Sequence, residues 1–281
     1  MISLFSQSLF ALDLEEAIEG TAALGFDAIE LACHSRHFDL KTASRDAGRV
    51  ARRIERAGLA VSALSGFNTF TDPGTLDAEL AAAEIFIRLA PSFGTEIVKL
   101  TPGPPGSARA TSTHWQCFEQ ALAVLIPLAQ EVGVRLAFET HMRQLTDTLA
   151  SSRRLLEMTP AGVVGLTVDY SNLVFAGEDV TQVVFDLADR TYNTHLKNGT
   201  MDADGGWHFH ALDEGWTDCA LLLSLLRDAR YDGPLTIESL DPEARERPLH
   251  IAGRDLAILK RTLEQVGWDD WQGEPHEHET V

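Results

Sequence analysis

The sequence has few cysteines, few basic residues and no long apolar run, and each shortage excludes a class of protein. The three cysteines are widely separated and form no Cys-x-x-Cys pair, which excludes a disulfide framework or a zinc ribbon. The 23 basic residues stand against 42 acidic ones, and a formal charge of −19 disfavours nucleic acid and anionic membranes as partners. No apolar run approaches the roughly 18 residues of a transmembrane helix, and no signal-peptide pattern is complete. We therefore expect a cytoplasmic protein that binds neither nucleic acid nor membrane.

What the chain does have is a regular alternation of short apolar segments with amphipathic segments of helical length. Eight segments are typical of strands: Ile2–Phe5, Ala28–Cys33, Leu59–Leu64, Ile97–Thr101, Arg135–Thr140, Gly165–Asp169, Thr191–Lys197 and Leu235–Leu240. Eight segments are typical of helices: Leu14–Leu24, Ser44–Ala57, Leu76–Leu89, Trp115–Val132, Thr148–Met158, Val180–Ala188, Cys219–Ala229 and Leu249–Val266. Since no phosphate-binding glycine motif favours a doubly wound sheet, the pattern predicts an α/β fold, a single (β/α)8 TIM barrel. We expect the barrel over residues 1–268 and a flexible acidic tail over residues 269–281.

The late strand segments carry polar residues in one shared phase. Alternate side chains of a barrel strand point inward or toward the helices. The apolar residues of these segments, such as Leu136 and Phe138, take the outward phase. The inward phase brings the following residues to the C-terminal ends of four strands: Glu139, Asp169, His195 and Glu238. Active sites of TIM barrels are built at that end, so the phase predicts that these four side chains meet.

Three carboxylates and one imidazole in a low-dielectric cavity require a compensating cation. A bound divalent metal ion supplies it, and we expect Mn²⁺, with Co²⁺, Mg²⁺, Fe²⁺ and Zn²⁺ as alternatives. Each residue also has a simpler explanation. His195 alone is typical of a hydrogen-bonded core residue, a glutamate of a salt bridge with Arg143 or Lys99, and Asp169 of a turn cap. The residues by themselves leave these alternatives open.

Four motifs around these residues resemble the metal-site strands of the xylose isomerase-like superfamily of sugar isomerases and epimerases. The motifs are Phe138-Glu139-Thr-His141, Val168-Asp169-Tyr-Ser-Asn172, His195-Leu-Lys197 and Gly233-Pro-Leu-Thr-Ile-Glu238. The resemblance extends over essentially the whole chain. It points to the branch that contains ketose 3-epimerases, hydroxypyruvate isomerase, and inosose isomerases and dehydratases.

The resemblance implies that Glu139, Asp169, His195 and Glu238 bind one divalent metal ion and that the two glutamates also transfer protons. The protein would then be a metal-dependent isomerase or epimerase of a ketose, keto-inositol or related polyol that acts through an enediolate. Loss of a β-hydroxyl at the same site would make it a dehydratase, a lyase of a keto-sugar or inosose. Relatives are often dimers or tetramers, so a homo-oligomer is an open alternative.

Further residues are candidates for substrate binding. His141 shares the phase of Glu139, and Asn172 stands where many relatives have a histidine. Lys197 points inward close to the end of its strand and can meet a substrate oxygen. Glu30 matches a residue that is frequent in the superfamily, although a buried pair with Lys99 would explain it equally well. We therefore expect a small-molecule sugar or polyol as the substrate.

His208 and His210 are the last candidates for substrate binding. They lie 13 and 15 positions after His195, a spacing similar to the Asp-x-His motif of abasic-site endonucleases, which use three zinc ions. A second metal ion and phosphodiester hydrolysis are thus an alternative, which the acidic charge and Asn172 oppose. A non-catalytic sugar-binding subunit is a further alternative, and under it substitution of Glu238 would leave sugar binding intact.

Overall fold

The computed structural model describes residues 1–268 and shows a closed barrel of eight parallel strands, as the sequence predicted. The expected tail, residues 269–281, lies outside the described residues. In chain order the strands are β1 (Ile2–Phe5), β2 (Ala28–Ala32), β3 (Ala60–Ser65), β4 (Ile97–Leu100), β5 (Arg135–Glu139), β6 (Val164–Asp169), β7 (Thr191–Leu196), β8 (Gly199–Met201), β9 (Trp207–Phe209) and β10 (Leu235–Ile237). Strands β1 to β7 and β10 form the barrel, and β10 closes it against β1. Strands β8 and β9 pair separately as an antiparallel hairpin.

Helices surround the barrel and cover its outer face. They are α1 (Leu14–Leu24), α2 (Ala43–Arg56), α3 (Leu76–Leu89), α4 (Ser112–Val132), α5 (Leu149–Glu157), α6 (Tyr170–Phe175), α7 (Val180–Leu187), α8 (Cys219–Asp228) and α9 (Pro248–Gln265). Helix α1 illustrates how local capping interactions determine where a helix begins and ends. Helix α1 begins with a capping box between Asp13 and Glu16 and ends at Gly25, whose φ of 85° needs a residue without a Cβ. No helix among these is both long enough and apolar enough to cross a bilayer.

Two elements near the mouth of the barrel were not expected from the sequence. Helix α6 has six residues, too few for a helical period to be recognised, and Asp169 caps it by accepting the N–H of Asn172. The hairpin of β8 and β9 has three-residue strands and turns where Gly205 adopts a φ of 79°. Both elements lie in segments that follow barrel strands, and both therefore border the C-terminal mouth.

Strand register determines which side chains share a level in the barrel. Asp169 pairs with His195 across β6 and β7, and His195 pairs with Thr236 of β10. Glu238 follows β10 directly, so its side chain has the same phase as that of Thr236. The opposite phase packs outward into the main core, where Leu136 and other side chains are fully buried. The predicted division into inward and outward phases is confirmed.

Candidate active site

Four predicted side chains meet inside the mouth of the barrel. Glu139 ends β5, Asp169 ends β6, His195 lies in β7 and Glu238 follows β10. One ligand atom from each lies within 4.8 Å of the others. His195 and Asp169 have no exposed surface, and the two glutamates are 3 and 4% exposed. The sequence phase therefore identified residues that the fold brings together in a buried cluster.

Asp169 is held with one carboxylate oxygen engaged and the other turned into the cluster. Its Oδ1 accepts the backbone N–H of Asn172 at 3.0 Å, as the cap of α6. Its buried Oδ2 forms an ion pair with Lys197 Nζ at 2.6 Å. Asp169 thus belongs to the cluster through one oxygen and to the cap of α6 through the other.

His195 is surrounded by carboxylates. Its Nδ1 lies 3.2 Å from Glu139 Oε1 and 3.9 Å from Glu238 Oε2, while its Nε2 lies 2.9 Å from Glu30 Oε1. The ring stacks on Phe5 with centroids 4.9 Å apart. Burial acts to lower the pKa of His195, but Glu30 and Glu139 outweigh it and raise the pKa to about 10. The same carboxylates favour any cation at this place, a proton or a metal ion.

Two buried lysines form ion pairs with the glutamates of the cluster. Lys99 Nζ lies 2.5 Å from Glu139 Oε2, and Lys197 Nζ lies 2.8 Å from Glu238 Oε2. Burial acts to raise the pKa of Glu139, but Lys99 and then His195 hold it well below its usual value. Burial also acts to raise the pKa of Glu238, but Lys197 and His195 together lower it. Both glutamates are therefore ionised in spite of their burial.

The charges of this region fit one divalent cation. Four buried carboxylates, Glu30 among them, face two ammonium groups and His195. The excess is one negative charge with His195 protonated and two with His195 neutral, the form that binds a metal ion. An uncompensated excess of this size is costly where water is excluded. Three carboxylates and an imidazole form an oxygen-rich donor set of the kind that Mn²⁺ and Mg²⁺ accept. The residues present thus fit a divalent metal ion.

A cavity of about 300 Å³ lies over the cluster. Glu139 and Glu238 both contribute to its lining, although they come from strands that are not neighbours. Other lining residues are Phe5, Gln7, Phe67, Asn68, Thr69, Lys99, Thr101, His141 and Gln144. The volume is at the small end of ligand sites, and amide, hydroxyl and ammonium groups beside two aromatic rings suit a polyhydroxylated molecule.

His141, Asn172 and Lys197, the other predicted residues near the cluster, differ in their position relative to the cavity. His141 lines the cavity, and its Nδ1 contacts Met142 O at 2.8 Å. Asn172 is 1% exposed and donates its side-chain N–H to Thr140 O, so it lies behind Asp169 and outside the cavity lining. Lys197 is within the cluster. A substrate contact stays a prediction for each of the three.

His208 and His210 lie away from the cluster on the exposed hairpin region. His208 Nε2 is 3.2 Å from Asp202 Oδ2, and His210 Nε2 is 3.4 Å from Thr200 Oγ1. Both histidines line a second cavity of about 750 Å³ beside the first, which shares Gln7 with it. Within residues 1–268 neither belongs to a group of three or more converging metal-ligand side chains. The spacing that suggested a second metal ion therefore does not bring these histidines to the four-residue cluster.

Lys99 belongs to the site, although the sequence analysis named it only as a salt-bridge partner and not as a site residue. It was expected as a partner of Glu30 or of a site glutamate, and the structure pairs it with Glu139 while Glu30 contacts His195. Its ammonium group also lies 5.1 Å from the ring centroid of Phe67. The available signal was a lysine in the inward phase of the otherwise apolar segment Ile97–Leu100. Gln7 and Gln144 gave no signal, because one lies in a four-residue 3₁₀ helix and the other in an irregular segment.

Comparisons with known proteins agree with this geometry. The model of the xylose isomerase-like TIM barrel family matches residues 18–262. An inosose dehydratase of Clostridium perfringens is 25% identical over 174 residues, 57% of this chain and 59% of the relative. The chain thus matches less than two thirds of the length of that relative.

Solved structures show the same barrel at low sequence identity. An L-ribulose 3-epimerase is 21% identical with a TM-score of 0.76, covering 98% of this chain and 99% of that one. A Mycobacterium smegmatis xylose isomerase-like protein in complex with magnesium is 18% identical with a TM-score of 0.74, covering 90% of this chain and 88% of that one. These likenesses show the fold. Because the family model covers most of the barrel, this chain belongs to the xylose isomerase-like TIM barrel family.

Proposed function

We propose that this protein is a divalent-metal-dependent isomerase or epimerase of a ketose, keto-inositol or related polyol. The observation that supports it most is the pair of ionised carboxylates, Glu139 and Glu238, which line one small cavity from non-neighbouring strands. Two such groups can act on two positions of one bound substrate. Removal of a proton from one face by one glutamate and delivery of another proton to the opposite face by the second is the requirement for epimerisation, and transfer between adjacent carbons gives isomerisation.

In this proposal Glu139, Asp169, His195 and Glu238 hold the metal ion. The bound ion supplies polarisation of the substrate carbonyl, which makes the neighbouring C–H more acidic. One glutamate accepts the α-proton as general base. The other takes up a proton from water or from a substrate hydroxyl and delivers it as general acid to the opposite face of the enediolate. Lys99 and Lys197 offer N–H donors to substrate oxygens beside these glutamates. We propose Mn²⁺ as the ion, and the cytoplasm as the location of the enzyme.

Dehydration of a keto-sugar or inosose is the second candidate. It is supported by the name of the matched curated relative, an inosose dehydratase, and by the shared need for α-proton removal. The two candidates differ in the second step, because a dehydratase must expel the β-hydroxyl as water. A glutamate that has taken up the α-proton can return it to that hydroxyl, so the same two side chains serve both reactions.

The test is incubation of the Mn²⁺-loaded protein with ketohexoses, ketopentoses and a keto-inositol in D₂O, followed by mass spectrometry and ultraviolet absorption. Deuterium in recovered substrate or in its epimer, without loss of water, is the result expected for the isomerase. A new absorbing enone that is one water lighter would assign the lyase instead. A loaded protein that exchanges no deuterium and forms no enone with any of these substrates would contradict both.

A further inference from the structure

Glu30 is the carboxylate of the charged region that lies outside both the four-residue cluster and the cavity lining. It lies in β2 and has no exposed surface. Its Oε1 is 2.9 Å from His195 Nε2 and accepts the hydroxyl of Ser65 at 2.6 Å. Its Oε2 accepts the side-chain N–H of Asn193 at 2.7 Å. Both oxygens are therefore engaged by the protein, which leaves neither directed toward a substrate.

Several strands hold this carboxylate in place. Ser65 ends β3 and Asn193 lies in β7, so the donors approach Glu30 from two directions. Asn193 is itself oriented, because Thr236 of β10 donates its hydroxyl to Asn193 Oδ1 at 3.0 Å. The amide N–H₂ of Asn193 must then face Glu30. The position of the carboxylate is thus fixed independently of its contact with His195.

An ionised carboxylate only accepts hydrogen bonds, so the imidazole nitrogen facing Glu30 has to carry a proton. Nδ1 faces Glu139 and Glu238, at 3.2 and 3.9 Å, and its proton is the one that a metal ion would displace while Nε2 keeps its hydrogen bond to Glu30. Phe5 stacks on the ring and restricts its rotation. Nδ1 is the atom through which His195 can join the cluster.

We infer that Glu30 is a positioning residue that fixes the tautomer and the ring orientation of His195 for metal binding. The inference rests on the proposed function, since it assumes that His195 is a metal ligand. It replaces both earlier interpretations of Glu30, the substrate contact and the pair with Lys99, which bonds to Glu139 instead. Carboxylates that accept the second N–H of a metal-bound histidine typically contribute 10–100-fold to metal affinity.

The test is calorimetric titration of Mn²⁺ into the metal-stripped protein and its variants. Glu30→Gln keeps the size of the side chain, but its amide N–H₂ can face Nε2 and favour the tautomer with the proton on Nδ1. We expect the Mn²⁺ affinity to fall about 10–100-fold. The absorption spectrum of the Co²⁺-loaded variant should also change at saturating metal, which a merely structural role would not cause.

Ser65→Ala is the matched control. It removes a hydrogen bond to the same oxygen of Glu30 while the contact with His195 stays, so its Mn²⁺ affinity and Co²⁺ spectrum should remain close to those of the wild type. Glu30→Asp provides a second variant should the glutamine variant not fold. It keeps the charge but withdraws the carboxylate by one methylene, and the same loss of affinity is expected.

The outcomes separate the inference from the proposed function. A wild-type protein that binds Mn²⁺, together with Glu30 variants of equal affinity, would overturn the inference alone. A wild-type protein that binds neither Mn²⁺ nor Co²⁺ would overturn both. A loss in the Glu30 variants that is as large in Ser65→Ala would also overturn the inference, because it would show a general effect of disturbing the buried network.

Discussion

His195 and His208 lie in two regions of one barrel mouth, and their surroundings differ in almost every respect. His195 is fully buried in β7 and contacts carboxylates through both ring nitrogens. The side chain of His208 is 57% exposed in the hairpin and lies 3.2 Å from that of Asp202, which is itself 45% exposed. The alternation of side chains along a barrel strand determines whether a residue points into the barrel. The number of residues along a loop does not determine where a loop side chain lies.

The largest effect should come from neutralising either glutamate of the buried region. Glu139→Gln and Glu238→Gln keep an oxygen in the cluster but remove the proton acceptor. We expect deuterium exchange into substrate to fall about 10²–10⁴-fold in each. The measurement is the initial exchange rate of the loaded variants, with their metal content determined in parallel. Normal exchange rates would restrict the role of the buried region to binding.

Removal of one buried cation should destabilise the protein strongly. Lys99→Met leaves Glu139 without its partner at 2.5 Å, and we expect a loss of about 3–5 kcal/mol in the free energy of unfolding. The matched control is Arg88→Met, which breaks the exposed pair with Glu84 and should cost at most about 1 kcal/mol. Urea unfolding of the metal-stripped proteins measures both. Equal losses would show that burial does not set the strength of the pair.

His37 provides a third environment, a buried histidine whose ring packs against Phe10. Its Nε2 is 3.4 Å from Leu12 O, its Nδ1 has no hydrogen-bond partner within residues 1–268, and burial lowers its pKa to about 4. Because the folded state favours the neutral ring, the stability this confers is complete above the ordinary value of 6.5 and is lost as the pH falls toward 4.

Substitution of His37 should therefore reduce the sensitivity of the protein to acid. Between about pH 7 and about pH 5 we expect the wild type to lose up to about 2 kcal/mol more than His37→Gln. Urea unfolding at the two pH values measures the difference. Parallel losses in the two proteins would show that His37 is already solvated in the folded state.

The smallest effect should follow substitution in the hairpin region. His208→Ala and His210→Ala remove exposed side chains that do not belong to the cluster. We expect metal content to be unchanged and the free energy of unfolding to stay within about 0.5 kcal/mol of the wild type. Loss of bound metal in either variant would show that the hairpin histidines and the buried cluster form one metal site, which would contradict the difference described between the two regions.

Much of the architecture could be predicted because the barrel repeats one physical rule. Apolar residues in one phase pack against helices, so the strands and the inward direction of Asp169 and Glu238 follow from alternation alone. The contact of Glu30 with His195 did not follow. It joins residues of β2 and β7, far apart in the chain, and no local pattern encodes which partner a buried carboxylate meets across the barrel.

The mouth of the barrel was harder to predict for a different reason. Helix α6 and the hairpin of β8 and β9 are too short for periodicity, and their conformations depend on single contacts such as the cap at Asp169. Gln7 lies in the short 3₁₀ helix Ser6–Leu9 after β1, and Gln144 lies in an irregular segment after β5. The cavity lining is therefore the part of the site that the sequence defined least.

Metal content, measured by plasma mass spectrometry on protein purified without added metal, tests the role of the buried cluster. The wild type should carry about one divalent ion per chain, as a mononuclear site with these donors requires. Asp169→Ala and His195→Ala should each lose it while remaining folded by circular dichroism. A wild type without metal that also fails to bind added Mn²⁺ or Co²⁺, or variants that retain the full content, would contradict the assignment of the four ligands.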